Sequence, residues 1–168
     1  GNMNSEKVQN VIELLRTHWK GALGFHAHDN IGLGLSNTLY ALNRGVTWVD
    51  STVTGMGRGA GNVKTELLAI EMTKLRRSNC NMKPIMALIA NSFKPMKEKY
   101  GWGTNPFYYL SGINSVHPTY VQEMMSDSRY NEDDIIAVIE HLGKEGGKKY
   151  SKNILGEARN HYPKKPQG

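Results

Sequence analysis

The chain has 168 residues, 39% of them hydrophobic and 21% charged, with a formal net charge of +6. It is long enough for one ordinary domain with a core, too short for a complete (β/α)₈ barrel of about 250 residues, and too apolar for a disordered polyampholyte. Its longest apolar runs, such as Ile85–Ala90, fall far short of the roughly 20 residues of a membrane helix, no signal peptide opens the chain, and the single cysteine, Cys80, excludes an internal disulfide framework and fits a reducing cytoplasm.

Val8, Val11, Ile12 and Leu15 recur at helical spacing and predict a helix over 5–18, stopped near Gly21. Ala22–His26 reads as a short buried strand. Leu35, Leu39 and Leu42 predict a helix from Gly34 to Arg44, with Gly45 as its stop. Val46–Val53, β-branched and aromatic, reads as a second strand. Gly55–Gly61 is a glycine-rich loop, and Val63–Arg77 a third helix. Alternation of this kind implies parallel strands joined by crossover helices. After Cys80 the pattern changes. Pro84–Met96 reads as helix, Gly101–Gly112 as aromatic and irregular, and Thr119–Met125, Asp133–Leu142 and Ser151–Arg159 as further helices. The domain reading is therefore two βα units over 1–80, a helical module over 81–160 and a basic tail over 161–168.

Lys144, Lys148, Lys149, Lys152, Arg159, Lys164 and Lys165 crowd the C-terminal end. A nucleic-acid or anionic-surface arm is one reading. A solvated tail is the better one, because no aromatic stacking residues are interleaved with the charges.

The sharpest local signal is Gly24-Phe25-His26-Ala27-His28-Asp29-Asn30. Side chains alternate along a strand, so His26 and His28 point the same way. Two neutral imidazoles on one face can hold a divalent cation, although many such pairs are simple surface histidines. The second signal is Gly55-Met56-Gly57-Arg58-Gly59-Ala60-Gly61-Asn62, between a strand and a helix. Its glycines allow close backbone approach to a ligand and its free N–H groups attract anions. Gly55-x-Gly57-x-x-Ala60 fits part of a dinucleotide fingerprint, but Glu71 is too close, and inside the helix, to serve as the acidic residue expected about 20 positions on. A tight strand-to-helix turn is the plainer account.

Together, His-x-His-Asp-Asn-x-Gly, a helix, Val49-Asp50-Ser51 and the glycine turn ending in Asn62 with Glu66 four residues on resemble the metal-dependent lyase and aldolase superfamily of hydroxymethylglutaryl-CoA lyase, isopropylmalate synthase and 4-hydroxy-2-oxovalerate aldolase. The resemblance is strong over about 20–80 and looser over 81–155, and GMGRGAGN looks most like the 4-hydroxy-2-oxovalerate aldolases. It implies an α/β fold made of the last two βα units of an incomplete TIM-type barrel, followed by a small helical communication-type domain. It implies His26, His28 and Asn62 as ligands of Mn²⁺, with Mg²⁺ or Co²⁺ as alternatives, and Gly57 and Gly59 as substrate-binding positions. Asp50 reads as structural. The family's tyrosine proton donor aligns with Asn114, with Tyr108 and Tyr109 nearby, so Tyr108 and Asn114 are the catalytic candidates; aromatic packing is the alternative for the phenols, and His117 reads as structural.

The implied chemistry is retro-aldol cleavage, or its reverse, next to a 2-oxo acid such as pyruvate through a metal-stabilised enolate. An acyl-CoA-dependent synthase or lyase is the runner-up, against which Cys80 lies outside the glycine loop. The implied partners are a 2-oxo acid substrate, an aldehyde dehydrogenase at the helical domain, and a second copy of the chain. The alternative class is a non-catalytic interaction or dimerisation module. The family's first-strand aspartate and arginine have no counterpart, and Gly1-Asn2 ahead of Met3 does not look like a natural start. The expectation is thus a fragment of a longer enzyme or one part of a split barrel, inactive alone, whose interior face, carrying residues such as Phe25 and Val49, needs a cover.

Overall fold

The computed structural model describes residues 2–161. It is a mixed α/β chain, mostly helical, that divides into two compact units, Met3–Thr104 and Asn105 onward. The change of character read near 80–84 lies inside the first unit, where the helical stretch over 82–100 packs on earlier elements.

In the first unit, α1 (Ser5–His18) starts where Asn4 accepts a hydrogen bond from the Lys7 N–H at 3.0 Å. Its Val8 and Ile12 are buried with Ala41 and Val46. Strands β1 (Gly24–Phe25) and β2 (Trp48–Val49) pair in parallel, Gly24 opposite Trp48 and Phe25 opposite Val49. Each is shorter than the sequence suggests, because each has a single strand neighbour among the described residues. Between them, α2 (Gly34–Asn43) carries the buried Thr38 and Ala41.

The open face of this small sheet is not the one expected. Phe25 and Val49 pack against the helices, in contact with both buried clusters. Alternation then puts Gly24, His26, Trp48 and Asp50 on the other face, where Trp48 is 71% exposed.

Helix α3 (Thr65–Lys74) begins later than predicted, because the Val63 N–H donates to the Ala27 carbonyl and Lys64 is still extended. The predicted 84–96 helix is longer than expected: α4 (Met82–Leu88), a π turn (Ile89–Phe93) and α5 (Lys94–Tyr100) run on without a break in helical dihedrals. Pro95 explains the widened turn. It has no N–H to donate, and its ring would press on the carbonyl four residues back.

The second unit is helical. The stretch 101–112, read as irregular, contains α6 (Pro106–Ile113), started by the Asn105 side chain accepting from the Tyr108 N–H at 2.9 Å. Asn followed by Pro is an N-cap and first-turn pair that the aromatic cluster obscured. Helices α7 (Pro118–Ser126), α8 (Glu132–Glu145) and α9 (Lys152–His161) follow. Ile135, Val138, Ile139 and Leu142 of α8 are buried at helical spacing, and Asn131 and Asp134 close a capping box at its start. The tail read over 161–168 lies, beyond His161, outside the described residues. No described helix is long and apolar enough to cross a membrane.

Candidate metal centre

β1 ends at Phe25, and the chain stays extended long enough for His28 to pair antiparallel with Asn62. The rings of His26 and His28 meet edge to face, centroids 4.9 Å apart at 85°. The alternation argument therefore holds although the strand is short. His26 Nδ1 lies 2.6 Å from Asp50 Oδ1. The strand register accounts for this contact: Phe25 faces Val49, so the next residue of each strand, His26 and Asp50, also stand opposite. Asp50, read from the sequence as structural, is thereby in contact with a candidate ligand. It fixes the His26 ring and leaves Nε2 for another partner, the carboxylate–imidazole arrangement that orients metal ligands.

His28 is held below the usual histidine range. Burial is the main cause, followed by the neighbouring His26 ring; Arg58 lowers it further, while a hydrogen bond with the Gly61 backbone works the other way. A neutral ring is the form that binds a metal. Asn62 Nδ2 donates to the Met56 carbonyl at 3.1 Å, which turns its Oδ1 the other way. That Oδ1 is buried and has no hydrogen-bond partner in the structure, an uncommon state for a buried acceptor.

The glycine loop is shaped around Asn62. A Cβ on Gly57 would stand 2.5 Å from Asn62 Nδ2, so the space that Gly57 leaves is filled by this side chain. Gly59 is left-handed at φ +62° and its carbonyl accepts from the Gly103 N–H at 3.0 Å. Two neighbours frame the same loops: the Trp102 indole donates to the Thr54 carbonyl at 3.2 Å, and Thr104 Oγ1 donates to the Asn30 carbonyl at 3.1 Å. Asp29, inside the histidine motif, accepts from the Gly34 N–H at 2.9 Å and so anchors α2.

Thr54 is the strained point, at φ +54° without being glycine. Its N–H donates to Glu66 Oε2 at 3.0 Å and its carbonyl accepts from Trp102, so both peptide groups that flank Thr54 are held. The Glu66→Ala variant leaves that N–H without its acceptor and is expected to lose about 1–3 kcal/mol of stability. Urea denaturation measures this, and Thr54→Gly in the same background should recover part of it. An unchanged midpoint for Glu66→Ala would show that the grip is not needed.

Tyr108 and Asn114 belong to the second unit. Tyr108 is buried, and burial pushes its phenol above the usual tyrosine range. Asn114 is the C-cap of α6 and its Nδ2 donates to the Leu110 carbonyl at 2.9 Å. His117 accepts from the Thr119 N–H at the start of α7, as a structural residue does.

The model of the family described as HMGL-like matches residues 1–90, more than half of the chain. The chain belongs to the HMGL-like family. It is 44% identical over 75 residues to a 4-hydroxy-2-oxovalerate aldolase of Carboxydothermus hydrogenoformans, a match covering 45% of this chain and 22% of that one. It is 51% identical over 55 residues to the enzyme of that name from Thermus thermophilus, covering 33% and 16%. Among solved structures, the N-terminal domain of a protein from Bacteroides vulgatus assigned as an aldolase is 39% identical with a TM-score of 0.69, over 77% of this chain and 43% of that one. The chain thus spans about a fifth or less of the length of these curated relatives, and the HMGL-like match contains His26, His28, Asp50, Asn62 and Glu66.

Proposed function

We propose that this chain is part of a divalent-metal-dependent aldolase, a carbon–carbon lyase acting next to a 2-oxo acid such as pyruvate, and that it contributes His26, His28 and Asn62 to the metal. The observation that carries the reading is the buried, unpartnered Asn62 Oδ1 on the residue paired with His28, whose ring meets that of His26. The names of the relatives support the reaction class.

The residues fit such an ion. Two imidazoles and a carboxamide oxygen suit Mn²⁺ or Co²⁺, and Mg²⁺ more weakly. Asp50 orients the first imidazole, and burial favours the neutral form of the second. Held by His26, His28 and Asn62, a divalent cation would supply Lewis acidity towards a keto oxygen of the substrate. The three protein ligands are all neutral, and no group of three His, Cys, Asp or Glu side chains suited to one ion occurs among the described residues. In this reading an anionic ligand, from a substrate carboxylate or from other strands of a barrel that would cover Trp48, would complete the coordination sphere.

Metal analysis of the purified chain after incubation with Mn²⁺ tests the proposal. The wild-type chain should retain the ion, and a His26→Ala, His28→Ala double variant should bind it at least about 100-fold more weakly. Equal retention by both would overturn the assignment.

A further inference from the structure

The His26–His28–Asn62 centre accounts for the ligands of the ion and for one end of a substrate, but not for the charge on the glycine loop. Within Gly57–Ala60, no backbone N–H donates to a protein acceptor among the described residues, whereas Gly55, Met56, Gly61 and Asn62, on either side, all do. Backbone N–H groups without a protein acceptor carry partial positive charge that can draw an anion. Arg58 sits in the middle of it, exposed, with no ion pair or hydrogen bond from its guanidinium among the described residues.

The surroundings add to this positive charge. The Lys97 ammonium lies 3.2 Å from the point where a Cβ on Gly103 would stand, and the Gly103 N–H is bonded to the Gly59 carbonyl. The stem of Lys64 lies along Gly55, 3.3 Å from its Cβ position. The three carboxylates near the loop are already committed, Asp50 to His26, Glu66 to the Thr54 N–H and Asp29 to the Gly34 N–H. The loop adjoins the candidate centre through Asn62, whose Nδ2 lies 2.5 Å from the Cβ position of Gly57.

We infer that Arg58 and the Gly57–Ala60 amides form an anion site beside the candidate metal centre, which takes a second anionic group on the substrate, a phosphate or a carboxylate, away from the carboxylate next to the keto group. The inference rests on the proposed metal-centred reading for its place in a substrate, but not for the anion binding itself. An exposed arginine beside amides that have no protein acceptor can offer charge-assisted hydrogen bonds to an oxyanion, stronger than neutral ones. A substrate that is anionic at both ends would be held at one end by this loop and at the other by the ion, which fixes the reacting bond between them.

The experiment is a ¹H–¹⁵N NMR titration of the full 168-residue chain with inorganic phosphate and, separately, with acetate. Saturable shifts of the Gly57–Ala60 amides are expected. Arg58→Ala should weaken the binding about tenfold, Arg58→Lys less, and Lys83→Ala, which removes a charge elsewhere, not at all. Saturation by phosphate alone, by acetate alone or by both supports the site and identifies the group it prefers. No saturable shift, or equal weakening in Arg58→Ala and Lys83→Ala, overturns it. Overlaid spectra outside the loop show that each variant is folded. Broadening of the His28 and Asn62 amides by Mn²⁺ reads the metal centre separately. Phosphate binding without that broadening would leave the anion site standing and sink the metal reading; the reverse pattern would sink the anion site alone.

Discussion

Asp50→Ala is expected to weaken Mn²⁺ binding by about 10- to 100-fold, the usual effect of removing the group that orients a metal-binding imidazole. Asp50 touches His26 through Nδ1 at 2.6 Å, so its loss frees the ring to turn and removes the partner that fixes the tautomer with Nε2 open. Asp50→Asn keeps an acceptor oxygen in the same place and should fall between wild type and alanine. Isothermal titration with Mn²⁺ measures all three. The carboxylate is exposed, so the same variants should melt within about 1 °C of wild type, because surface changes rarely cost more than a few tenths of a kcal/mol. Unchanged affinity in Asp50→Ala would mean that the pair is incidental.

Gly61→Ala should be the most damaging small substitution in the first unit. Gly61 is left-handed at φ +76°, and a Cβ there would stand 2.1 Å from the Gly55 carbonyl oxygen, a backbone atom that cannot swing aside. The strain of the dihedral and the overlap together should cost about 3–5 kcal/mol. The same chain supplies the control. Gly32 has nearly the same dihedral, φ +69°, with nothing within 4 Å of its Cβ position. Gly32→Ala should therefore cost only the conformational term, about 1–2 kcal/mol. Thermal unfolding followed by circular dichroism compares them. Gly61→Ala should also lose Mn²⁺ binding, since the Gly61 carbonyl accepts from the Asp29 N–H, next to His28, and Gly61 precedes Asn62. Equal melting of the two alanine variants would show that the loop shifts freely and that its packing does not set the centre.

What was legible in the sequence follows from how local each interaction is. The helix over 5–18 is bounded by its own cap and periodicity, and the structure places it there. The histidine pair needed only the two-residue repeat of an extended chain. The contact of Asp50 with His26 needed the register of two strands 24 residues apart, which no local pattern carries. Alternation sorted Phe25, Ala27 and Val49 from His26, Trp48 and Asp50, but not which set faced the helices; the apolar character of Phe25 and Val49 was spent on α1, α2 and α3 rather than on a barrel interior. The aromatic stretch before Gly112 hid a helix because bulky rings there mask the Asn105-Pro106 start. Glu66 was visible as part of the motif, yet its acceptor role depends on the left-handed Thr54, a backbone state the sequence does not announce for threonine.

Trp102 also makes the loop optically observable. The chain has three tryptophans; Trp19 and Trp48 are 55% and 71% exposed, whereas Trp102 is 8% exposed with its indole N–H on the Thr54 carbonyl. Water relaxes around the excited state of the first two and shifts their emission to the red, and a soluble quencher reaches them first. The blue, quencher-resistant part of the fluorescence therefore belongs to Trp102. Because that indole is tied to the strained peptide at the base of the glycine loop, its intensity reports whether the loop is ordered, without any label added to the protein.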